Sequence, residues 1–325
     1  MRVGTLCYAT DQGLGVLARA FHTHGVVTHP YVVVHSHHPT HTEWHRGAPS
    51  AHIRQLNVDD IVSYFKQCDA VLFFETPFVW ALLPALKAAG VLTALMPMHE
   101  CMPAEWPHQP DVVLNPSHLD QRCFPRGVHI PVPVEVEWRK RDRARVFVHN
   151  AGHGGLRGRN GTKELLEAIR YLKSDAEFII RSQDPNWREW KGWRGVDIRV
   201  GTAPWNTLYA EGDVFLFPEK FNGLSLPLQE AFASGMPCMA TDRFPMDQWL
   251  PRNLLIQPTG EAPARIGPSY REFMEAHVDP KAIAAKIDAW YDADISEYSE
   301  LGRKFAERNS WAALKPKYLE ALGCA

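Results

Sequence analysis

The side chains best suited to chemistry lie in one stretch, Asp213 to Pro237. There an apolar run, Val214 to Phe217, leads through Pro218, Glu219, Asn222 and Gly223 into a helix-forming segment that contains Glu230. Ser225 suits the N-cap of that helix, Pro227 is tolerated in its first turn, Gly235 suits the left-handed residue that ends it, and Pro237 bars continuation. Backbone amides at the start of such a helix, reinforced by the helix dipole, favour an anionic group. Glu230, about one turn inside, is placed to accept hydrogen bonds from vicinal hydroxyls. Phosphate and ribose are the pair of groups that fits; a surface helix with a solvated carboxylate is the alternative that local physics leaves open.

A second candidate is the glycine-rich loop Asn150-Ala151-Gly152-His153-Gly154-Gly155-Leu156-Arg157-Gly158-Arg159-Asn160-Gly161, which carries two cations between a strand and a helix. A third is Asp11 to Ala18, whose Gly13, Gly15 and Ala18 fit the G-x-G-x-x-A form of a dinucleotide fingerprint. That fingerprint wants an acidic residue about 20 positions on. The sequence there is Val32-Val33-Val34-His35-Ser36, with no carboxylate before Glu43, which counts against a nicotinamide oxidoreductase. His35, His37, His38, His41 and His45 cluster without any established ligand spacing, so no metal site is expected. Trp187 to Arg194 interleaves aromatics with cations, a composition used for base stacking and phosphate contact and equally for a packed loop with solvated charges.

The Asp213 to Pro237 stretch resembles the nucleotide-sugar motif of retaining GT-B glycosyltransferases, particularly glycosyltransferase family 4. That family shows a Pro after a strand, then Glu-Gly-Phe-Gly-Leu-Pro, two residues, and Glu-Ala-x-Ala-x-Gly-x-Pro. Pro218, Gly223, Leu226, Pro227, Glu230, Ala231, Ala233, Gly235 and Pro237 match it. The second Glu of the family's pair falls on Glu230, which the resemblance makes a ribose ligand. The first falls on Asn222, which brings hydrogen-bonding capacity without charge; Glu219 would replace it only if the loop shifts. Related enzymes hold the donor diphosphate with an Arg and a Lys of the glycine-rich loop. Their Lys-Gly appears here as Asn160-Gly161, leaving Arg157 and Arg159 as the available cations. The resemblance further implies that the Gly13 and Gly15 loop approaches the donor and that His99 takes the place of a cleft His bonding the donor sugar, a structural histidine being the alternative. The implied site is therefore His99, Arg157, Arg159 and Asn222 for the chemistry, with Gly13, Gly15, Gly223, Leu224, Ser225 and Glu230 on the donor.

The scaffold these loops need is legible in the alternation of strand-like and helix-like runs, the pattern of parallel sheets covered on both faces. Strands are expected near 2–8, 31–35, 70–74, 91–95 and 111–114, with helices at Leu14 to Phe21 and Ile61 to Lys66. A Pro-rich then basic segment, Pro131 to Arg141, suits a linker, after which strands near 145–148, 177–181, 196–200, 213–217 and 237–240 and a helix at Lys163 to Lys173 repeat the pattern. Pro280 to Tyr291 and Tyr298 to Leu322 read as helices, with no strand after Ile256. The fold class expected is α/β, of the GT-B type: two Rossmann-like domains facing across a cleft. The resemblance divides the chain into an acceptor-side domain over 1–135, a nucleotide-sugar domain over 136–305, and a final helix over 306–325 packing back on the first.

At 325 residues with 45% hydrophobic and 22% charged residues, the chain has the composition of an ordinary globular protein of two domains rather than a disordered one. A net charge of −2 gives no global field for nucleic acid or anionic membrane. Six irregularly spaced cysteines suggest reduced thiols in the cytoplasm. Met1 to Tyr8 reads as a first buried strand rather than a signal peptide, and the apolar stretch Val79 to Met98 is broken by Pro84, Lys87 and Gly90, so neither a signal peptide nor a transmembrane segment is expected. The expected function is retaining, metal-independent transfer of a sugar from a nucleoside diphosphate to an acceptor hydroxyl, with no cofactor and no obligate protein partner. The acceptor is a glycan or small carbohydrate, with hydroxymethylated pyrimidine in DNA as a second class. The alternatives are a non-catalytic nucleotide-sugar binder, since Asn160 and Asn222 stand where the family carries charge, and an NAD(P)-dependent oxidoreductase.

Overall fold

The computed structural model describes all residues except 153, 155–157, 187–192, 194, 205–206 and 324–325. The chain forms two compact units: Met1–Val132 with Arg265–Arg271 and Trp311–Ala325, and Pro133–Ala264 with Glu272–Ser310.

The first unit begins β1 (Val3–Tyr8), α1 (Gly13–Thr23), β2 (His29–Val34), β3 (Ser50–His52), α2 (Val58–Phe65) and β4 (Ala70–Glu75). It continues α3 (Leu82–Ala88), β5 (Leu92–Pro97), β6 (Val112–Asn115), α4 (His118–Cys123) and β7 (Val128–His129). Its sheet has the order β3-β2-β1-β4-β5-β6-β7 with every pairing parallel. The central strands are predominantly apolar because helices cover both faces, and Leu6, Val33, Val71, Phe73 and Leu95 are at most 1% exposed.

The second unit contains β8 (Val146–Gly152), α5 (Thr162–Ile169), β9 (Glu177–Ser182), β10 (Val196–Val200), β11 (Val214–Phe217), α6 (Leu226–Ala233) and β12 (Cys238–Ala240). It ends with β13 (Gly260–Ala264), β14 (Phe273–His277), α7 (Pro280–Trp290) and α8 (Ser296–Arg308). Its main sheet is parallel in the order β10-β9-β8-β11-β12. One apolar cluster joins α5 and α7 to the sheet through Leu165, Leu166, Ile283 and Ile287, and another joins α6 through Leu228, Ala231 and Phe232, so the sheet is covered on both faces. The last helix, α9 (Trp311–Ala321), belongs to the first unit, where Trp311 and Tyr318 each meet Phe21 of α1 edge-on with centroids 5.0 and 4.9 Å apart.

Three sequence expectations differ from the structure. A strand pair does follow Ile256: β13 and β14 form an antiparallel hairpin, which the sequence conceals because Gly260-Glu-Ala-Pro-Ala264 is largely exposed and has no apolar run. Tyr298 to Leu322 is two helices rather than one, α8 ending at Asn309, whose Nδ2 donates to the Phe305 carbonyl. The helix expected over Lys163 to Lys173 stops as α5 at Ile169, and the Lys173 and Ser174 amides donate instead to Asp288 of α7.

Candidate functional site

The candidate residues of the second unit gather at the carboxyl edge of its sheet, the end at which open α/β sheets bind ligands. Two loops meet there. The Lys220 amide donates to the Arg159 carbonyl at 2.7 Å, and Gly161, at φ +74°, lies so close to Pro218 that a Cβ there would stand 1.9 Å from the Pro218 carbonyl oxygen. Asn160 spends its amide on its own loop, donating to the Asn150 and Ala151 carbonyls at 3.1 and 3.3 Å. It therefore shapes the loop from within. Arg159 is exposed, while Arg157 lies outside the described residues. A cation that the sequence reading overlooked, Lys220, pairs with Glu164 at 2.9 Å.

The loop from Pro218 to Ser225 is held from within. Glu219 is fully buried, accepts from the Ser225 hydroxyl at 3.0 Å, and faces the buried Arg243 guanidinium at 3.5 Å. Arg243 lies 5.0 Å from the Phe221 ring and donates to the Asn222 carbonyl at 3.3 Å. Asn222 accepts the Ser225 amide, three residues on, through its side-chain oxygen at 2.8 Å. Ser225 stands at the N-cap of α6, but at φ +52° rather than in the extended conformation of a capping residue, and it makes no capping bond while its hydroxyl donates to Glu219. Gly223, Leu224 and Ser225 are all buried. Glu219 is thus a scaffold of the loop, and Asn222 takes over part of the same work.

Glu230 is 6% exposed and accepts a hydrogen bond of 2.7 Å from the hydroxyl of the buried Tyr209. Burial pushes its pKa up to about 8, the Tyr209 bond acting in the opposite direction. Arg181, at the end of β9, is likewise 6% exposed, and its guanidinium lies 3.8 Å from the Glu211 carboxylate. Tyr209 lies in the connection between β10 and β11, and no spacing within the motif announces it or Arg181.

Beneath the loops, His149 of β8 is 1% exposed and bonds the Leu216 carbonyl through Nδ1 and the Thr162 hydroxyl through Nε2, each at 2.8 Å. A carbonyl only accepts, so Nδ1 carries the proton and Nε2 accepts from Thr162. Burial pushes its pKa down to about 4, which keeps the ring neutral. This histidine ties the start of α5 to β11. Thr162→Val is expected to leave Nε2 unpaired and cost about 1–3 kcal/mol, read by urea denaturation; a loss below the error of that measurement would refute the tie.

In the first unit, Gly13 is exposed at the start of α1 and Gly15 is buried, where a Cβ would stand 2.3 Å from the Thr10 carbonyl oxygen. The N-cap residue Gln12 makes no side-chain capping bond, which suits an anion at the helix start. His99 is 8% exposed, and its backbone amide donates to Asp120 at 2.8 Å. Asp120 is itself buried, with its pKa pushed up to about 7 mainly by burial, and it receives the Ser117 hydroxyl. His41 bonds Asp11 and Glu43, His45 meets His22 and Cys7, and His35 packs with His37 and His38, so the histidine cluster is split among three environments. Among the described residues no three metal-ligating side chains converge. Most of Trp187 to Arg194 lies outside the described residues.

Residues 151–266 match the family model "Glycosyl transferases group 1". No curated protein matches the chain. Among solved structures, the lipopolysaccharide outer core galactosyltransferase WaaB is similar with a TM-score of 0.64 and 14% identity over 99% of both chains. HepE of Anabaena, in complex with UDP and glucose, has a TM-score of 0.69 and 11% identity over the whole of both chains. Sucrose-phosphate synthase of Thermosynechococcus elongatus has a TM-score of 0.62 and 13% identity, again over the whole of both. Two Rossmann-like units, matched along their full length by GT-B structures, and a family match that spans both loops and Glu230 converge on one assignment. The chain has the GT-B fold, and residues 151–266 of its second unit are similar to the group 1 glycosyltransferases.

Proposed function

We propose that the protein transfers a sugar from a nucleoside diphosphate to a carbohydrate hydroxyl with retention at the anomeric carbon. The observation that carries this reading is the meeting of the Gly158 to Gly161 loop with the Pro218 to Ser225 loop beside a buried Glu230, inside the stretch matched to the group 1 family. Ribose hydroxyls donate to Glu230, the diphosphate lies toward the two loops, and Arg159 offsets the charge that develops on the leaving phosphate. The departing phosphate then takes the acceptor's proton on the front face, so no separate base is needed. UDP is the first nucleotide to test because it is the one named in the HepE complex.

The deciding experiment is a thermal-shift series with UDP, GDP, ADP, CDP, TDP and their sugars, with NAD and NADP as controls. A nucleotide at a hundredfold excess over its Kd stabilises the native state by about 2.7 kcal/mol. A selective shift with one nucleoside diphosphate, lost in Glu230→Ala, is the expected result; a shift with NAD or NADP alone would overturn the reading. In this reading Arg159 and backbone amides neutralise the diphosphate in place of a metal. Transfer is accordingly expected to persist in EDTA, and its abolition by chelation, with recovery on adding a divalent cation, would refute that part.

No helix among the described residues is long and apolar enough to cross a membrane.

A further inference from the structure

The first unit contains a cavity of about 450 Å³ between the loop after β5, the loop after α4 and the segment Arg265–Arg271. This size suits a small organic ligand. Its walls include Trp106, Gln109, Phe124, Arg126 and Arg271, with Glu105 as the opposing charge. The segment that brings Arg271 here is tied down through its backbone: the Arg271 amide donates to the Met102 carbonyl at 2.9 Å, and the Ala104 amide to the Ser269 carbonyl at 3.3 Å. The Arg271 guanidinium is then fixed over the Phe124 ring at 5.1 Å, with one nitrogen donating to the Ala104 carbonyl at 3.0 Å.

Two of the wall residues hold a buried donor that finds no acceptor among the described residues, Nε of Arg271 and Nε1 of Trp106. Both atoms are closed to solvent and so lie behind the cavity wall, which leaves the charges and rings of the wall to choose the ligand. Arg126 adds an exposed cation, so the wall carries two positive charges against one negative. Trp106 and Phe124, with centroids 4.9 Å apart, supply an apolar surface of the kind that packs against the C–H face of a sugar ring. An acceptor-rich anion on an otherwise amphipathic ring meets all of these requirements together.

We propose that this cavity binds a sugar residue bearing an anionic substituent, a carboxylate or a phosphate monoester, with the anion on Arg271 and Arg126 and the ring on Trp106. The site goes beyond the donor reading and does not depend on it. The test is titration of the full chain, by calorimetry or ligand-observed NMR, with methyl β-glucuronide and glucose 6-phosphate, and with methyl β-glucoside, inorganic phosphate and UMP as comparisons. The two anionic sugars are expected to bind with a Kd of order 1 mM or tighter, and the neutral glucoside and inorganic phosphate at least tenfold more weakly. Arg126→Ala, at an exposed position, and Arg271→Lys, which keeps charge but loses the guanidinium, are each expected to weaken the anionic sugars by about tenfold. Glu230→Gln is expected to leave their binding unchanged.

Equal affinity for glucoside and glucuronide, preference for UMP or bare phosphate, or indifference to both arginine variants would overturn the proposal. UDP titrated into the same samples separates the two readings. UDP binding without sugar binding removes only this site, and sugar binding without any nucleotide binding removes only the donor assignment.

Discussion

Glu230→Gln is expected to weaken nucleotide binding by at least tenfold and, at the same time, to stabilise the protein at pH 8. The first effect follows from exchanging a carboxylate for an amide opposite the ribose hydroxyls, where each charge-assisted hydrogen bond contributes about 1.5–3 kcal/mol. The second follows from linkage. In the native state burial holds the Glu230 pKa at about 8, whereas its ordinary value is 4.5. Between those values the folded protein keeps a proton that the unfolded chain has lost, so stability falls as pH rises through the window and is level above pH 8. The slope is about 1.4 kcal/mol per pH unit while it lasts. Glutamine cannot ionise, so the variant loses this slope and gains a few kcal/mol over wild type at pH 8 and nothing near pH 4.5. Denaturation at several pH values checks this, and parallel slopes in the two proteins would refute the buried acid.

The same acid predicts how ligand affinity responds to pH. Ribose hydroxyls donate, so they favour the carboxylate over the protonated acid, and binding then releases a proton. UDP affinity is expected to rise between about pH 7 and 8, by at most about tenfold per unit, and to level off above. A flat profile in wild type would separate Glu230 from the ribose.

Gly161→Ala carries the other large expected effect, a destabilisation of about 3 kcal/mol or more with loss of nucleotide binding. Two causes add. The backbone there is left-handed, at φ +74°, and the new Cβ would stand 1.9 Å from the Pro218 carbonyl oxygen, so the two loops must part. Gly47→Ala provides the comparison: its φ of +81° is similarly unfavourable, but nothing lies within 4 Å of a Cβ there, so it is expected to cost only about 1 kcal/mol. Urea denaturation of the two variants isolates the close approach. Equal losses would mean that the loops yield without cost and that their contact does not shape the site.

Much of the frame was readable in advance because it rests on local pattern. Val3–Tyr8, Ala70–Glu75 and Val214–Phe217 are predominantly apolar without alternation, as strands covered on both faces must be. The exit of α6 was also readable: Gly235 does adopt positive φ, at +95°. The hairpin β13–β14 was not, because an exposed two-stranded ribbon has no buried face to impose a pattern.

What the sequence by itself determined was the order of the motif, from strand to loop to helix with Glu230 one turn inside, because helix starts, stops and turns are set by residues within a few positions of one another. What only the tertiary structure decided was the state of those residues. Tyr209 reaches Glu230 across 21 positions, Thr241 holds the Glu219 carbonyl across 22, and His149 bonds Leu216 across 67. The burial that protonates Glu230 and neutralises His149 arises from packing of helices against a sheet, and such packing joins residues whose separation along the chain carries no periodic signal.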